Sequence, residues 1–338
     1  MKKHIFIIIF LIIPTLFYGW RSYIRSHIGS DANGIGGAYV GDATSELALF
    51  YNPAGLVQLK GENEEQNFFF LYEVSASLLL YSYLSWDPAF KFDTFPFLAI
   101  AYTGLNWKMG LSIASSFESE SRLNDFRVRD LFFSISIPIE NDISIGFGAG
   151  PIFAIENTTT GYSFSYNIGI LWNIEKDLKF GLCFHSPFAI QWNNTETGNS
   201  LYETFPFLLE TGLAYQLSEV AILFTSLDYI DIDSIRYVLD EKDYSPTFDQ
   251  NLFARVHPHI GIRFLEENTG AHISAGFMMD SSYYDNGSIN QYLITLGVRA
   301  YGKNMIFRAS LIDALLIGLF YRGNVKNERI NISFGFYF

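Results

Sequence analysis

Cysteine is almost missing from this chain: Cys183 stands alone among 338 residues. No disulfide framework can hold the fold, and Cys183 is expected to pack as a small buried residue. Positive charge is scarce too, with 22 Lys and Arg against 35 Asp and Glu and a net charge of −13. With no basic run either, nucleic acid is excluded as a partner. No Ser, His and Asp stand in an order or context that builds a hydrolytic site, so no catalytic residue and no enzyme activity is expected. Long hydrophobic runs are absent beyond residue 17, although 49% of residues are hydrophobic and mean hydropathy is +0.16. That excludes a bundle of transmembrane helices, each of which needs ~20 consecutive apolar residues.

The one apolar run present, Ile5–Phe17, follows Lys2 and Lys3, is broken at Pro14 and leads to Gly19. It is short for a membrane span and reads as a secretory signal over residues 1–19, with an uncleaved N-terminal anchor as the alternative. No Cys follows it, which excludes a lipoprotein. Residues 20–65 are rich in Gly, Ala, Asp and Asn and show little alternation. Residues 66–338 differ: fourteen strand-like segments follow one another at 67–84, 95–104, 106–117, 127–139, 142–156, 162–174, 177–192, 205–217, 219–231, 252–265, 270–283, 288–302, 303–316 and 328–338.

The last of these shows the pattern best. Ile330, Ile332, Phe334, Phe336 and Phe338 share one face of a strand, while Asn331, Ser333, Gly335 and Tyr337 share the other. In 142–156, Ile143, Ile145, Phe147 and Ala149 oppose Ser144, Gly146, Gly148 and Gly150. Alternation hides the apolar residues at every second position, which is how a strand faces lipid on one side and a lumen on the other. The breaks alternate as well. Those at Leu105, Glu140-Asn141, Glu175-Lys176, Ser218, Glu266–Thr269 and Gly302-Lys303 are short. Most of those centred on 85–94, 118–126, 157–161, 193–204, 232–251, 284–287 and 317–327 are longer. The expected fold is therefore all-β: an antiparallel transmembrane barrel of about fourteen strands in the outer membrane, short turns on the periplasmic side. Phe334, Phe336 and Phe338 read as the signal to the barrel-assembly machinery. Trp20, Trp86, Trp107, Trp172 and Trp192 fall near strand ends, where an interfacial belt belongs. A barrel of this size is too wide for wall side chains to fill, so residues 20–65 are expected to plug it.

Within that plug, Gly36-Gly37-Ala38-Tyr39-Val40, Asp42-Ala43 and Tyr51-Asn52-Pro53-Ala54-Gly55-Leu56 resemble the FadL/TodX-type outer-membrane hydrocarbon transporters. The resemblance implies a luminal hatch with Gly36, Gly37, Asn52, Pro53 and Ala54 among its residues. It also implies passive uptake of a hydrophobic, fatty-acid-like molecule that leaves sideways through the wall into the bilayer. The same superfamily includes PorV-like proteins that hold secreted client proteins, which is the alternative function. Most external loops here are shorter than in the long-chain fatty-acid transporters, and the longest, 232–251, is acidic.

Four arginines are candidates to hold a ligand carboxylate from the lumen, Arg255, Arg263, Arg299 and Arg308, through the two-pronged geometry of guanidinium. The competing reading pairs them with Glu210, Asp228, Asp280 or the plug carboxylates Asp42 and Glu46. His257 and His259 share one luminal face, but nothing in the sequence places a carboxylate or Cys to complete a metal site, so neither metal nor cofactor is expected. His185 is expected in the lumen. Gly148, Gly150 and Pro151 are a candidate kink in the fifth strand. The protein is expected to act as a monomer.

Overall fold

The computed structural model describes residues 23–25, 28–59, 67–81, 89–104, 106–119, 126–156, 159–193, 200–239, 242–243, 252, 255–266, 270–284, 287–313 and 325–338. The expected signal at 1–19 lies outside them, as do Trp20 and Trp86. Fourteen antiparallel strands close into a barrel. They are β1 (Phe68–Tyr81), β2 (Ala89–Tyr102), β3 (Lys108–Ser119), β4 (Phe126–Pro138), β5 (Ile143–Glu156) and β6 (Thr159–Glu175). Next come β7 (Leu178–His185, continued by Phe188–Asn193), β8 (Ser200–Phe205, continued by Leu208–Ser218) and β9 (Ala221–Ile230). The wall ends with β10 (Val256–Glu266), β11 (Ala271–Tyr284), β12 (Gly287–Tyr301), β13 (Met305–Asp313) and β14 (Val325–Tyr337).

The barrel closes between its last and first strands, from Val325 opposite Tyr81 to Tyr337 opposite Phe69 without a break. Phe338 extends that seam: its N–H donates to Phe68 O at 2.9 Å, and its own carbonyl accepts from Asn67 N–H at 3.0 Å. The interruptions of β7 and β8 lie side by side, since His185 is opposite Leu208 and Phe188 opposite Phe205. Pro187 and Pro206 stand at these breaks and cannot donate to a ladder. The acidic segment after β9 does not project freely throughout. Its Arg236–Leu239 stretch pairs with the first part of β8.

Two-residue alternation decides which way each strand faces. On β6, Tyr162, Phe164, Ile168, Ile170 and Trp172 are exposed while Ser165 and Asn167 are buried. Exposed aromatic and aliphatic rows around a closed barrel are unfavourable in water and favourable in hydrocarbon, so this face is the lipid face. Among the described residues no helix is long and apolar enough to cross a membrane. Trp107 and Trp172 are exposed on the wall, as a belt requires. Trp192 is not: it is buried inside and its indole N–H donates to Glu203 Oε2 at 3.0 Å. Its position on the luminal parity of β7 overrides its nearness to a strand end.

The lipid face makes a direct prediction. Phe147 and Ile168 are directly opposite on β5 and β6 and nearly half exposed. Replacing either with Arg should cost about 2–4 kcal/mol if it sits at the bilayer midplane. Denaturant unfolding of the barrel refolded into lipid would read this as a lower midpoint at unchanged slope. Midpoints matching the native barrel would remove these residues from the lipid face.

Candidate functional site

Residues 28–59 lie inside the ring of strands as a compact, buried plug. It holds two short helices, α1 (Ser30–Gly34) and α2 (Ala48–Tyr51), and two 3-10 turns, Val40–Asp42 and Pro53–Gln58. Helix α1 packs against β11–β14, the first turn against β7–β9, α2 against β3 and β4, and the second turn against β3–β6. So irregular a backbone leaves many amides and carbonyls without repetitive partners, and buried ones must be satisfied individually.

The wall supplies many of those partners. Glu73, the lone carboxylate on the luminal face of β1, between Leu71 and Ser75, accepts from the backbone N–H of Gly29 (2.8 Å) and Ser30 (2.7 Å) and from Ser30 Oγ (3.0 Å), at the head of α1. Asn52 does three jobs at once. Its amide donates to Val40 O and to Ile170 O of β6, both at 3.1 Å, and its Oδ1 accepts from Ala54 N–H at 3.2 Å. Pro53 opens the turn that follows, where a missing N–H costs nothing. Ser136 and Ser144 both donate to Ala54 O at 3.0 Å.

At Gly36 and Gly37 the backbone turns through φ of 66° and 76°, which side chains rarely tolerate. Gly36 N–H donates to Thr295 Oγ1 at 3.0 Å, and His259 Nδ1 lies 2.9 Å from Gly36 O.

Charge pairs complete the attachment. Arg263 Nη2 lies 3.3 Å from Asp31 Oδ1, Arg299 bonds the other Asp31 oxygen, and Arg308 Nη2 meets Glu46 Oε2 at 3.1 Å. Lys179 joins Asp42 at 2.6 Å. Three of the four arginines singled out in the sequence thus meet plug carboxylates. Arg255 is the exception and a correction. It precedes β10 in a turn and pairs with the exposed Asp233 at 2.7 Å, because β10 begins at Val256 rather than at 252.

The sequence placed no carboxylate beside His257 and His259, and the structure sets one beside each of them and beside His185. His259 Nε2 lies 3.2 Å from Asp228, His257 Nδ1 3.7 Å from Asp280, and His185 Nε2 2.9 Å from Glu210. These carboxylates are cross-strand neighbours, invisible until register is known. Glu73 and Lys179 were missed for the same reason. Glu73 alone left a signal, a charge in line with Phe69 and Leu71.

Among the described residues, the wall is interrupted between β2 and β3. The β2–β3 ladder runs from Tyr102 opposite Met109 to Phe97 opposite Ala114 and stops, so among the described residues 89–96 pair only with β1. Just there β2 carries extra residues: Glu73 pairs with Phe97 and Ser75 with Asp93, which puts Thr94–Pro96 opposite Val74 alone. Beyond the stop, Phe117–Ser119 of β3 pair with Tyr23–Arg25 from the N-terminal segment. Asp93 reaches across: Ser115 Oγ donates to it at 3.2 Å, and Arg127 and Arg129 lie 3.8 and 3.7 Å away. At the expected kink, Gly148–Pro151, the ladder from β5 to β6 is unbroken, whereas the ladder to β4 skips Leu131 and Phe132 opposite Pro151 and Gly150. Near the gap, Val128, Ile152, Ala154, Ile190, Trp192 and Phe205 form an apolar luminal cluster on β4, β5, β7 and β8. At the end of the barrel that carries the Glu140-Asn141 and Glu175-Lys176 turns, a polar vestibule of about 820 Å³ is lined by Thr44, Gln58, Asn141, Asn173 and Lys179, among others.

Solved structures share this arrangement. The toluene transporter TbuX of Ralstonia pickettii superposes with a TM-score of 0.65 over 92% of this chain and 98% of its own, at 14% identity. A FadL homologue of Pseudomonas aeruginosa gives 0.66 over 93% and 99%, at 10% identity. The toluene transporter TodX of Pseudomonas putida gives 0.64 over 92% and 97%, at 11% identity. This is the FadL/TodX-type fold. No protein-family model and no curated protein matches the sequence. At such low identity the likeness is one of fold, and TbuX and TodX are toluene transporters.

Proposed function

We propose that this chain is an outer-membrane channel for passive uptake of hydrophobic small molecules, which leave sideways between β2 and β3. The single observation that carries the reading is the ladder that stops at Phe97 and Ala114, close to an apolar luminal cluster. The plug obstructs the straight path through the barrel, and its polar anchoring to the wall favours that state. A polar solute crossing sideways would lose its hydration to hydrocarbon, whereas an apolar one gains about 25 cal/mol per Å² buried. The gap therefore selects by solvation. The toluene channels and FadL homologue that share the fold support the same substrate class. Asn52, Pro53, Ala54, Gly36 and Gly37 are the hatch residues of this proposal, and Arg263, Arg299 and Arg308 hold the hatch rather than a ligand.

A bridge across the gap tests it. Asp93→Cys with Ser115→Cys, joined by a short thiol cross-linker, should abolish delivery of a labelled fatty acid or toluene into the membrane, while the unbridged double variant keeps it. Equal uptake by the bridged and unbridged forms would rule out the lateral route.

A further inference from the structure

Cys183, His185 and Glu210 meet on the luminal wall. Cys183 and His185 are two apart on β7 and so share a face, and Glu210 of β8 stands directly opposite Cys183. The thiol sulfur, an imidazole nitrogen and a carboxylate oxygen all lie within 4.8 Å of one another. We propose that these three residues form a binding site for a divalent cation of the zinc class.

The donor set fits that chemistry. Zinc takes sulfur at about 2.3 Å and nitrogen or oxygen at about 2.0–2.1 Å in a tetrahedron, which puts ligand atoms roughly 3.3–3.7 Å apart. The observed cluster is within side-chain rotation of this spacing. Glu210 Oε2 and His185 Nε2, now 2.9 Å apart, need to part only slightly to admit an ion between them. Cys183 and Glu210 are buried and His185 half-buried, so all three ligands come from the wall. Gly169, on the other flank of Cys183, adds no side chain of its own, and the plug's Asn52 and Pro53 close over it.

The surroundings favour a cation as well. At the same level, Asp228 is opposite Glu210, and His257 is opposite Asp228. His259 and Asp280 adjoin them. The plug carboxylates Asp31, Asp42 and Glu46 are matched by guanidinium or ammonium groups, but the carboxylates of this belt face imidazoles. Imidazole binds a metal in its neutral form, leaving the acidic charge to hold the ion. The His185 ring lies 6.2 Å from the ring of Phe50, so an ion bound here sits where the plug meets the wall.

The test uses the full chain purified in detergent from native membranes and stripped with a chelator, with cobalt(II) as probe. One equivalent should bind, give the near-ultraviolet charge-transfer band of a cobalt–thiolate bond, and be displaced by zinc. Cys183→Ser should remove the band and weaken binding by at least about tenfold. Glu210→Gln, which retains a hydrogen-bond acceptor for His185, should weaken it without loss of the heat-modifiable mobility of a folded barrel. Absence of the band in the folded native protein would overturn the proposal. So would cobalt affinity that is unchanged in both variants, which would put the ion on other groups of the belt.

Discussion

In planar bilayers, Glu46→Leu is expected to turn a quiet barrel into a conducting one. Glu46 is fully buried and Arg308 nearly so, and their contact joins the plug to β13. Gly335 of β14 makes room for the pair, since a Cβ there would lie 3.0 Å from Arg308 Nη1 and 3.3 Å from Glu46 Oε1. A buried ion pair adds little net stability, but removing one partner strands the other charge and costs about 3–5 kcal/mol. The wall is held by ladders on both sides of β13, whereas the plug is held by scattered contacts, so the plug should give way. Arg308→Met should act in the same direction. The double variant Glu46→Leu with Arg308→Met removes both charges and should recover most of the closure. If the single variants conduct no more than the native barrel, this pair does not hold the plug.

The second large effect comes from volume rather than charge. At Gly146 of β5, an added Cβ would lie 2.1 Å from Ala54 N and 2.2 Å from Pro53 C. Both neighbours are backbone, so no flexible side chain can swing aside, and Gly146→Val should cost 3 kcal/mol or so, the upper end of overpacking. The expected outcome is a folded barrel with a displaced Asn52–Ala54 turn, seen as raised conductance and as protease cleavage within 48–59. Gly302→Ala is the control, because its Cβ would meet only Met305 O at 3.5 Å. A Gly146→Val protein with native conductance and native protease resistance would show that the turn does not rest on β5.

Much of this was legible in the residues themselves. The number of strands and the face each turns to lipid follow from a period of two, which is a property of one extended chain. The plug was legible because 20–65 lacks that period and carries Gly36-Gly37 and Asn52-Pro53-Ala54. Trp192 was misplaced because nearness to a strand end is a weaker signal than luminal parity. Arg255 was misplaced because its strand starts four residues later than its pattern begins. Strand starts are set by where pairing with neighbours becomes possible, which no single strand encodes.

The sequence by itself thus determined a closed antiparallel barrel, its lipid-facing rows and the existence of an internal segment, since alternation, scarcity of charge and glycine content act locally. Only the tertiary structure decided which partners meet: Arg299 with Asp31, Arg308 with Glu46, and Glu210 with Cys183 and His185. It also decided where the wall stops pairing: beyond Phe97 and Ala114 between β2 and β3, and for two residue pairs at Gly150 and Pro151 between β4 and β5. The reason is register. A slip of two residues between neighbouring strands preserves every facing but changes every cross-strand partner, so the composition of each wall face is written in the chain while its contacts are not.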